Sequence, residues 1–242
     1  MERKQFIKSL SLFALSGPLW MEACSKDNGM ETTDSDGGTE VAVDNSCTVT
    51  PTETEGPFPT KTPASYIRSD IRKGDGIGAD MKAMITIVDV NTGCNPLEGA
   101  LVDVWHCDVN GDYSEYGGIQ MQTTNYQSEH WFRGRQVTDA NGQVTFQTIF
   151  PGWYQGRATH IHVHVYNSSG KSLLITQIAF QDSLCETVNT TGADYGYTKG
   201  MSGYTYNERD NVFSDGVEKE MSTTMGSLAT GFEMAITIKV NA

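Results

Sequence analysis

Short β-branched runs that end at turn-forming residues are the feature that most constrains the fold of this sequence. Two such runs cover residues 84–90 and 100–105, and they end at the turn residues 91–93 and 110–111. β-Branched and aromatic residues favour strands, whereas Asn and Gly tolerate the backbone angles of tight turns. Because the chain shows no long helical period, the pattern predicts an all-β sandwich with long loops. Further strands are predicted over residues 143–149, 159–166, 173–180 and 232–240.

Residues 186–230 do not follow this pattern. They are polar and rich in Gly, with four Tyr residues scattered among them. Such a composition favours turns and irregular backbone. We predict a long loop there, with one short helix near residues 216–221.

The first residues have the features of an export signal. Three basic residues precede an apolar run, residues 9–20, which is too short to span a bilayer. Ala23 and Cys24 follow, and a small residue before Cys resembles the lipobox of bacterial lipoproteins. We therefore predict a signal peptide over residues 1–24, of the lipoprotein type.

The remaining chain divides into a tether and one domain. Residues 25–46 are rich in Asp, Thr, Ser and Gly, so we predict a flexible acidic tether. Residues 47–242 are enough for one domain with its own core. We expect an exported protein, either a periplasmic or cell-surface lipoprotein or a secreted one. Its membrane contact would be the lipid anchor only.

Acidic residues outnumber basic ones in the chain. The formal net charge is −13 and the isoelectric point is near 4.7. A nucleic-acid partner needs a basic face, so the composition argues against one. The sequence leaves the oligomeric state open, either a monomer or a small homo-oligomer.

Four cysteines remain once Cys24 is set aside. They are Cys47, Cys94, Cys107 and Cys185. An even number in an exported domain predicts two disulfides, with three possible pairings left open. Free buried thiols are the alternative. No C-x-x-C spacing is present, so a sulfur-ligated metal is not expected.

Three histidines alternate with apolar residues in one predicted strand. Side chains at every second position share a face, so His160, His162 and His164 lie on the side opposite Ile161 and Val163. Same-face neighbours are about 6.5 to 7 Å apart along a strand, which lets two rings tilt toward one metal ion. The strand therefore predicts a metal site.

Three segments carry a resemblance to a known family. They are W-x-x-x-x-x-G-x-Y from Trp105 to Tyr113, T-I-x-P-x-x-Y from Thr148 to Tyr154, and R-x-x-H-I-H from Arg157 to His162. Together they resemble the iron-binding motifs of the intradiol ring-cleavage dioxygenases, the family of catechol and protocatechuate dioxygenases. The resemblance implies the β-sandwich of that family and a non-haem Fe(III) cofactor. It also implies a catechol-type substrate that O2 converts to a cis,cis-muconate. The implied metal ligands are Tyr113, Tyr154, His160 and His162.

The resemblance also implies roles beyond metal binding. Tyr154 corresponds to the tyrosine that dissociates when substrate binds, and Arg157 to a cation that stabilises negative charge on the ring. Gln177, on the following strand, corresponds to a glutamine near the O2 and substrate pocket. These three residues are the predicted catalytic set. Phenolate oxygen is a hard anionic donor that suits Fe(III), and a metal charge is needed to hold it deprotonated at neutral pH.

Four other residues are expected to have roles outside metal binding and catalysis. His164 has no ligand counterpart in the family, so a supporting or pocket-lining role is expected. His106 should point away from the face of Trp105, in a structural or surface role. Tyr116 and Arg133 are expected in a loop that shapes substrate entry.

Two alternatives remain at this stage. One is an exported β-sandwich that binds a ligand without catalysis. The other is a zinc or copper site built on all three histidines of the strand, which would not need Tyr113 or Tyr154.

Overall fold

The computed structural model describes residues 46–242 and contains two β-sheets, one α-helix and five short 3-10 helices within that range. The all-β sandwich predicted from the sequence is confirmed. The strands are β1 Asp80–Asp89, β2 Asn95–Pro96, β3 Leu101–Trp105, β4 Arg133–Val137, β5 Gln143–Ile149, β6 His160–Tyr166, β7 Ser172–Ala179, β8 Thr223–Ser227 and β9 Gly231–Val240. The helix α1 is Asp182–Thr191, and the 3-10 helices are Pro63–Ser65, Val90–Thr92, Ala193–Tyr195, Asn207–Arg209 and Val217–Lys219.

The first sheet is built around β1. This strand pairs antiparallel with β5 and β2, and parallel with β9, which in turn pairs antiparallel with β8. Alternate residues of β1, Met81, Ala83, Ile85 and Ile87, are buried. The period of two puts these side chains on one face, toward the core.

The second sheet has the strand order β4-β3-β6-β7, and all of its neighbours are antiparallel. Val104, Val163 and Ile178 belong to the core on one of its faces. One hydrophobic cluster contains residues from both sheets, so the two sheets pack face to face around it. The opposite face of the second sheet carries the polar residues described below.

All six strands predicted from the sequence are present, with ends shifted by at most four residues. Among the strands and the α-helix of residues 46–242, four elements were not predicted: β2, β4, β8 and α1. The prediction of a loop over residues 186–230 is wrong at both ends, where α1 extends to Thr191 and β8 begins at Thr223. The short helix expected near residues 216–221 is a 3-10 helix, Val217–Lys219.

The expectation of two disulfides is wrong. Cys47 and Cys94 form one, with Cα atoms 5.8 Å apart, and it joins the start of the described chain to the segment before β2. Cys107 and Cys185 are free and buried. Cys107 packs beside Trp105 and Tyr113, whereas Cys185 packs in the main core. The two thiols therefore lie in different hydrophobic clusters and do not form a disulfide.

The predicted signal peptide over residues 1–24 and all but the last residue of the predicted tether over residues 25–46 lie outside the described residues. Among residues 46–242, no helix is both long and apolar enough to cross a bilayer.

Candidate metal centre

One row of side chains crosses the polar face of the second sheet. Strand register places Arg133 opposite Trp105, Trp105 opposite His162, and His162 opposite Gln177. Residues directly opposite each other in antiparallel strands share a face. The row therefore brings four side chains from four strands to one surface, and His160 lies two residues along β6 on the same side.

Three donor atoms converge at this row. His160 Nε2 lies 3.0 Å from His162 Nε2, and Tyr113 Oη lies 3.3 Å from the first and 3.4 Å from the second. Ligands bonded to one metal ion at about 2.1 Å are separated by about 3.0 to 3.4 Å when the angle between them is near 90 to 110°. The three atoms are therefore spaced as ligands of a common metal ion.

The protonation of both histidines suits metal binding. His160 Nδ1 is 2.7 Å from the Ala158 carbonyl oxygen, which only accepts, so Nδ1 carries the proton and Nε2 keeps its lone pair. Burial lowers the pKa of His160 to about 3 and lowers the pKa of His162 well below its ordinary value. Both rings are thus neutral at pH 7, as metal ligation requires.

The two tyrosines differ in exposure. Tyr113 is 2% exposed, and burial raises the pKa of its hydroxyl well above 10, so a nearby positive charge is needed to hold a phenolate there. Tyr154 is partly exposed, and its ring lies 6.1 Å from the ring of Tyr113 between centroids. Burial also raises the pKa of Tyr154. A bound cation would offset both penalties.

Phe58 connects the tyrosines of the site. Its ring stacks on Tyr113 at 4.9 Å and meets Tyr116 and Tyr154 edge-on at 5.2 and 5.5 Å. Gly56, in the same segment, has a φ of +67°, and a Cβ there would lie 3.1 Å from His162 Cε1. The segment before the first strand therefore forms a close-fitting wall over the donor atoms.

Arg157 is held beside the histidines by two partners. Its Nε donates to both carboxylate oxygens of Asp210 at 2.9 Å, and its Nη2 donates to Gln177 Oε1 at 2.6 Å. Gln177 Nε2 donates to the Thr54 carbonyl oxygen at 2.8 Å. The positive charge of Arg157 contributes to the lowered pKa of His160, after burial. The structure thus places a fixed cation next to the donor cluster.

Arg133 is placed differently from the expectation. It lies on β4 and is 1% exposed, so the loop location expected for it is wrong. Its guanidinium donates to Ser114 Oγ and O, to the Phe58 carbonyl oxygen and to Thr60 Oγ1 at 2.6 to 3.1 Å. Arg133 therefore ties the two loops that bear Tyr113 and Phe58 to the sheet. Tyr116 does lie in a loop, and its hydroxyl donates to the Pro59 carbonyl oxygen.

The other two histidines stay out of the donor cluster. His164 Nδ1 is 2.8 Å from the Tyr166 hydroxyl and its Nε2 is 2.8 Å from Ser172 Oγ, so both ring nitrogens are engaged. A metal site on all three histidines of β6 is therefore not formed. His106 is 1% exposed and hydrogen-bonds Thr148 Oγ1 at 2.6 Å, which makes its role structural.

Sequence reasoning missed one residue of this site, Asp210. Its carboxylate accepts from Arg157 Nε and from the Ala158 backbone N–H, and its side chain is fully buried. It lies just after the 3-10 helix Asn207–Arg209, in a polar stretch without strand or helix periodicity. No local pattern marks it, because its role depends on a contact across 53 residues of chain.

Comparisons with known proteins show which proteins this chain resembles. A family model described as dioxygenase matches residues 54–191. The chain is 29% identical over 193 residues to catechol 1,2-dioxygenase from Acinetobacter baylyi, covering 70% of this chain and 54% of that protein. It is 27% identical over 120 residues to the protocatechuate 3,4-dioxygenase beta chain from Burkholderia cepacia, covering 47% and 49%. The chain thus spans about half the length of these curated relatives.

A solved structure extends the comparison to most of the domain. The intradiol ring-cleavage dioxygenase from Tetranychus urticae superposes with a TM-score of 0.68 at 32% identity. The match covers 81% of this chain and 95% of that one.

Proposed function

The chain belongs to the intradiol ring-cleavage dioxygenase family, and from this premise we propose that it cleaves a catechol-type aromatic with O2, using non-haem Fe(III). The approach of Tyr113 Oη, His160 Nε2 and His162 Nε2 to within 3.0 to 3.4 Å of one another carries the proposal. The product is of the cis,cis-muconate type. Both oxygen atoms of O2 enter the product, so catechol and one O2 balance muconic acid without a further reactant.

Tyr113, Tyr154, His160 and His162 would hold the iron. Two phenolates and two neutral imidazoles form a hard, anionic donor set, which suits Fe(III) better than a softer divalent ion. When bound, the ferric ion lowers the pKa of catechol and tyrosine hydroxyls and makes the catecholate ring reactive toward O2.

The tyrosines of this set would have different tasks. Tyr113 is buried and packed against Phe58, so it stays in place. Tyr154 is partly exposed, and its Oη is the group that can accept a proton from an incoming catechol hydroxyl.

Arg157 and Gln177 would lie beside the aromatic ring of the bound substrate, on the side of β7. The Arg157 guanidinium stabilises negative charge that develops on the substrate, and it does so without reorganisation because Asp210 and Gln177 already hold it. Both ends of the Gln177 amide are engaged, with Arg157 and with the Thr54 carbonyl oxygen. Gln177 therefore contributes by orienting Arg157.

The visible spectrum of the purified iron-loaded protein tests the proposal. A tyrosinate-to-Fe(III) charge-transfer band is expected, and it should move to longer wavelength when catechol is added under nitrogen. Admitting O2 should then consume one O2 per catechol and form muconate. In Tyr154→Phe, turnover should be lost or greatly weakened.

A protein that stays colourless after ferric reconstitution would contradict the metal assignment. One that binds catechol without consuming O2 would instead be a binding module that keeps the fold without the reaction.

The proposed location is outside the cytoplasm, with the domain tethered through Cys24. The predicted signal peptide supports this, as does the Cys47–Cys94 disulfide, because such bonds persist in oxidising compartments. Cys24→Ser should move the protein from the membrane fraction to the soluble exported fraction. An unchanged distribution would contradict the lipid anchor.

A further inference from the structure

Three carboxylates form a second cluster, separate from the iron ligands proposed above. Glu53, Asp215 and Glu220 each offer an oxygen atom, and these atoms all lie within 4.8 Å of one another. Glu220 is buried, Glu53 is partly buried and Asp215 is exposed. The cluster therefore reaches from the interior to solvent.

Two chain segments bring these residues together at the edge of β7. The Glu53 N–H donates to the Ile175 carbonyl oxygen, and the Ala179 N–H donates to the Glu220 carbonyl oxygen. Backbone hydrogen bonds thus fix Glu53 and Glu220 on the same strand edge. Asp215 comes from the loop that leads into the 3-10 helix Val217–Lys219.

The buried carboxylate is only half satisfied by the protein. Glu220 is fully buried, and its Oε1 accepts from Thr176 Oγ1 at 2.9 Å. Its Oε2 is buried and has no hydrogen-bond partner in the part of the chain that the structure describes. A buried carboxylate oxygen in this condition is costly, so it points to a partner of another kind.

The electrostatics of the cluster agree with this. Burial, and then the charges of Glu53 and Asp215, raise the pKa of Glu220 to about 8. Burial and then the charge of Asp215 raise the pKa of Glu53 to about 7. Arg157 opposes the rise at Glu53, but its guanidinium is already engaged with Asp210 and Gln177. At pH 7 the protein alone therefore keeps Glu220 mainly protonated, and a bound cation would favour the deprotonated form of the cluster.

We propose that Glu53, Asp215 and Glu220 form a binding site for a divalent cation of the calcium type. Calcium takes carboxylate oxygens at about 2.4 Å, so two oxygens bound to one ion are at most about 4.8 Å apart. Its flexible coordination also accepts waters on the side of the exposed Asp215. The proposal does not depend on the ring-cleavage reaction.

A cation at this position would join two segments that border the iron site. The segment that starts at Glu53 continues to Gly56 and Phe58, which cover the donor atoms. The segment that ends at Glu220 begins at Asp210, the partner of Arg157. Calcium binding would stabilise both segments without touching the iron ligands.

Thermal unfolding of the full-length iron-loaded protein, with and without CaCl2, tests the site. At a calcium concentration about 100 times Kd, the Tm should rise by about 5 °C or more, and MgCl2 should have a smaller effect. Asp215→Asn is the main variant, because an exposed residue can be changed without risk to the fold. It should abolish most of the calcium-dependent rise, and so should Glu53→Gln.

The matched control is Glu98→Gln, which removes the same charge at an exposed position away from the cluster. Its calcium response should equal that of the wild type. Isothermal titration with CaCl2 should show one site in the wild type and the control, and none in Asp215→Asn. A wild type without a calcium-dependent rise, or an equal rise in Asp215→Asn, would overturn the proposal. In that case the three carboxylates share protons instead.

Discussion

The two faces of the sheet β4-β3-β6-β7 are both buried, yet they are held by different forces. On one face Val104, Val163 and Ile178 pack into the main core. On the other face, Trp105, His162 and Gln177 lie in one row. Each of them is the direct sequence neighbour of one of the three core residues. On the apolar face, stability depends on how well the side chains fill the core. On the polar face of the same strands, each buried polar atom needs a hydrogen-bond or metal partner.

The difference between the faces shows where a metal belongs. On the site face, Arg133 is satisfied by its four hydrogen bonds to the neighbouring loops, whereas Trp105 Nε1 and His162 Nδ1 have no hydrogen-bond partner among the described residues. The Nε2 atoms of His160 and His162 instead face each other and Tyr113 Oη. The site face thus brings two imidazole nitrogens and one phenol oxygen together at one point, where a metal ion can bind them.

The largest expected effect comes from removing a donor atom on the polar face. His162→Ala should lower kcat/KM by more than the roughly 100-fold cost of losing a supporting partner of a metal ligand. It should also weaken the charge-transfer band in proportion to iron loss. Activity within a few fold of wild type would show that the convergence of donor atoms is not the site.

Truncating a side chain on the apolar face should lower stability without changing catalysis. Ile178→Ala removes a fully buried side chain and should lower the free energy of unfolding by about 2 to 5 kcal/mol. Because Ile178 faces away from its neighbour Gln177, activity per folded molecule should stay within a few fold. Urea unfolding and iron-normalised assays measure the two quantities. A large loss of specific activity would mean that the faces are not independent.

A smaller effect is expected at the partner of Arg157. Asp210→Asn removes the charge that holds the Arg157 guanidinium in place. If the guanidinium then shifts by about 1 Å, the rate should fall by up to about 100-fold. The loss should appear in kcat, while the charge-transfer band should keep its position because no proposed iron ligand is changed. Asp210→Glu should recover part of the rate. A band that moves in Asp210→Asn would contradict the positioning role.

The smallest effect concerns His106, which packs on Phe132 on the core side of the sheet. Burial lowers its pKa from 6.5 to about 4, so the unfolded chain binds a proton there that the folded chain does not. Its contribution to stability is full above about pH 6.5 and is lost as the pH falls to about 4. His106→Gln should make unfolding free energy less pH-dependent in that window. Equal slopes in both proteins would place His106 in a solvated environment.

The sequence predicted the strands best where side chains alternate. The run from Gln143 to Ile149 was predicted with both ends correct, and the histidine strand with one end off by a residue. The shared face of the two histidines was also predictable from their spacing of two, whereas Tyr113 and Tyr154 were predicted from the resemblance to the intradiol dioxygenases. The predicted ligands Tyr113, His160 and His162 lie together, with the Tyr154 ring beside Tyr113.

The missed elements lack such alternation for physical reasons. On β4 the core side is occupied by Gly134, where a Cβ would lie 2.6 Å from Ile71, while Arg133 and Arg135 occupy the other face. A strand that presents Gly to the core shows no apolar period. Helix α1 buries only Cys185, Val188 and Asn189, so its amphipathic signal is weak.

The parallel pairing of β1 with β9 has a consequence for the timing of folding during synthesis. Met81 is paired with Phe232, so β1 is made about 150 residues before its partner. At about 5 to 20 residues per second, that interval is roughly 8 to 30 s. Throughout it one edge of β1 is open, and an open edge can pair with other chains. The nascent chain therefore has a period of aggregation risk, and a chaperone that covers β1 would lower the risk during it.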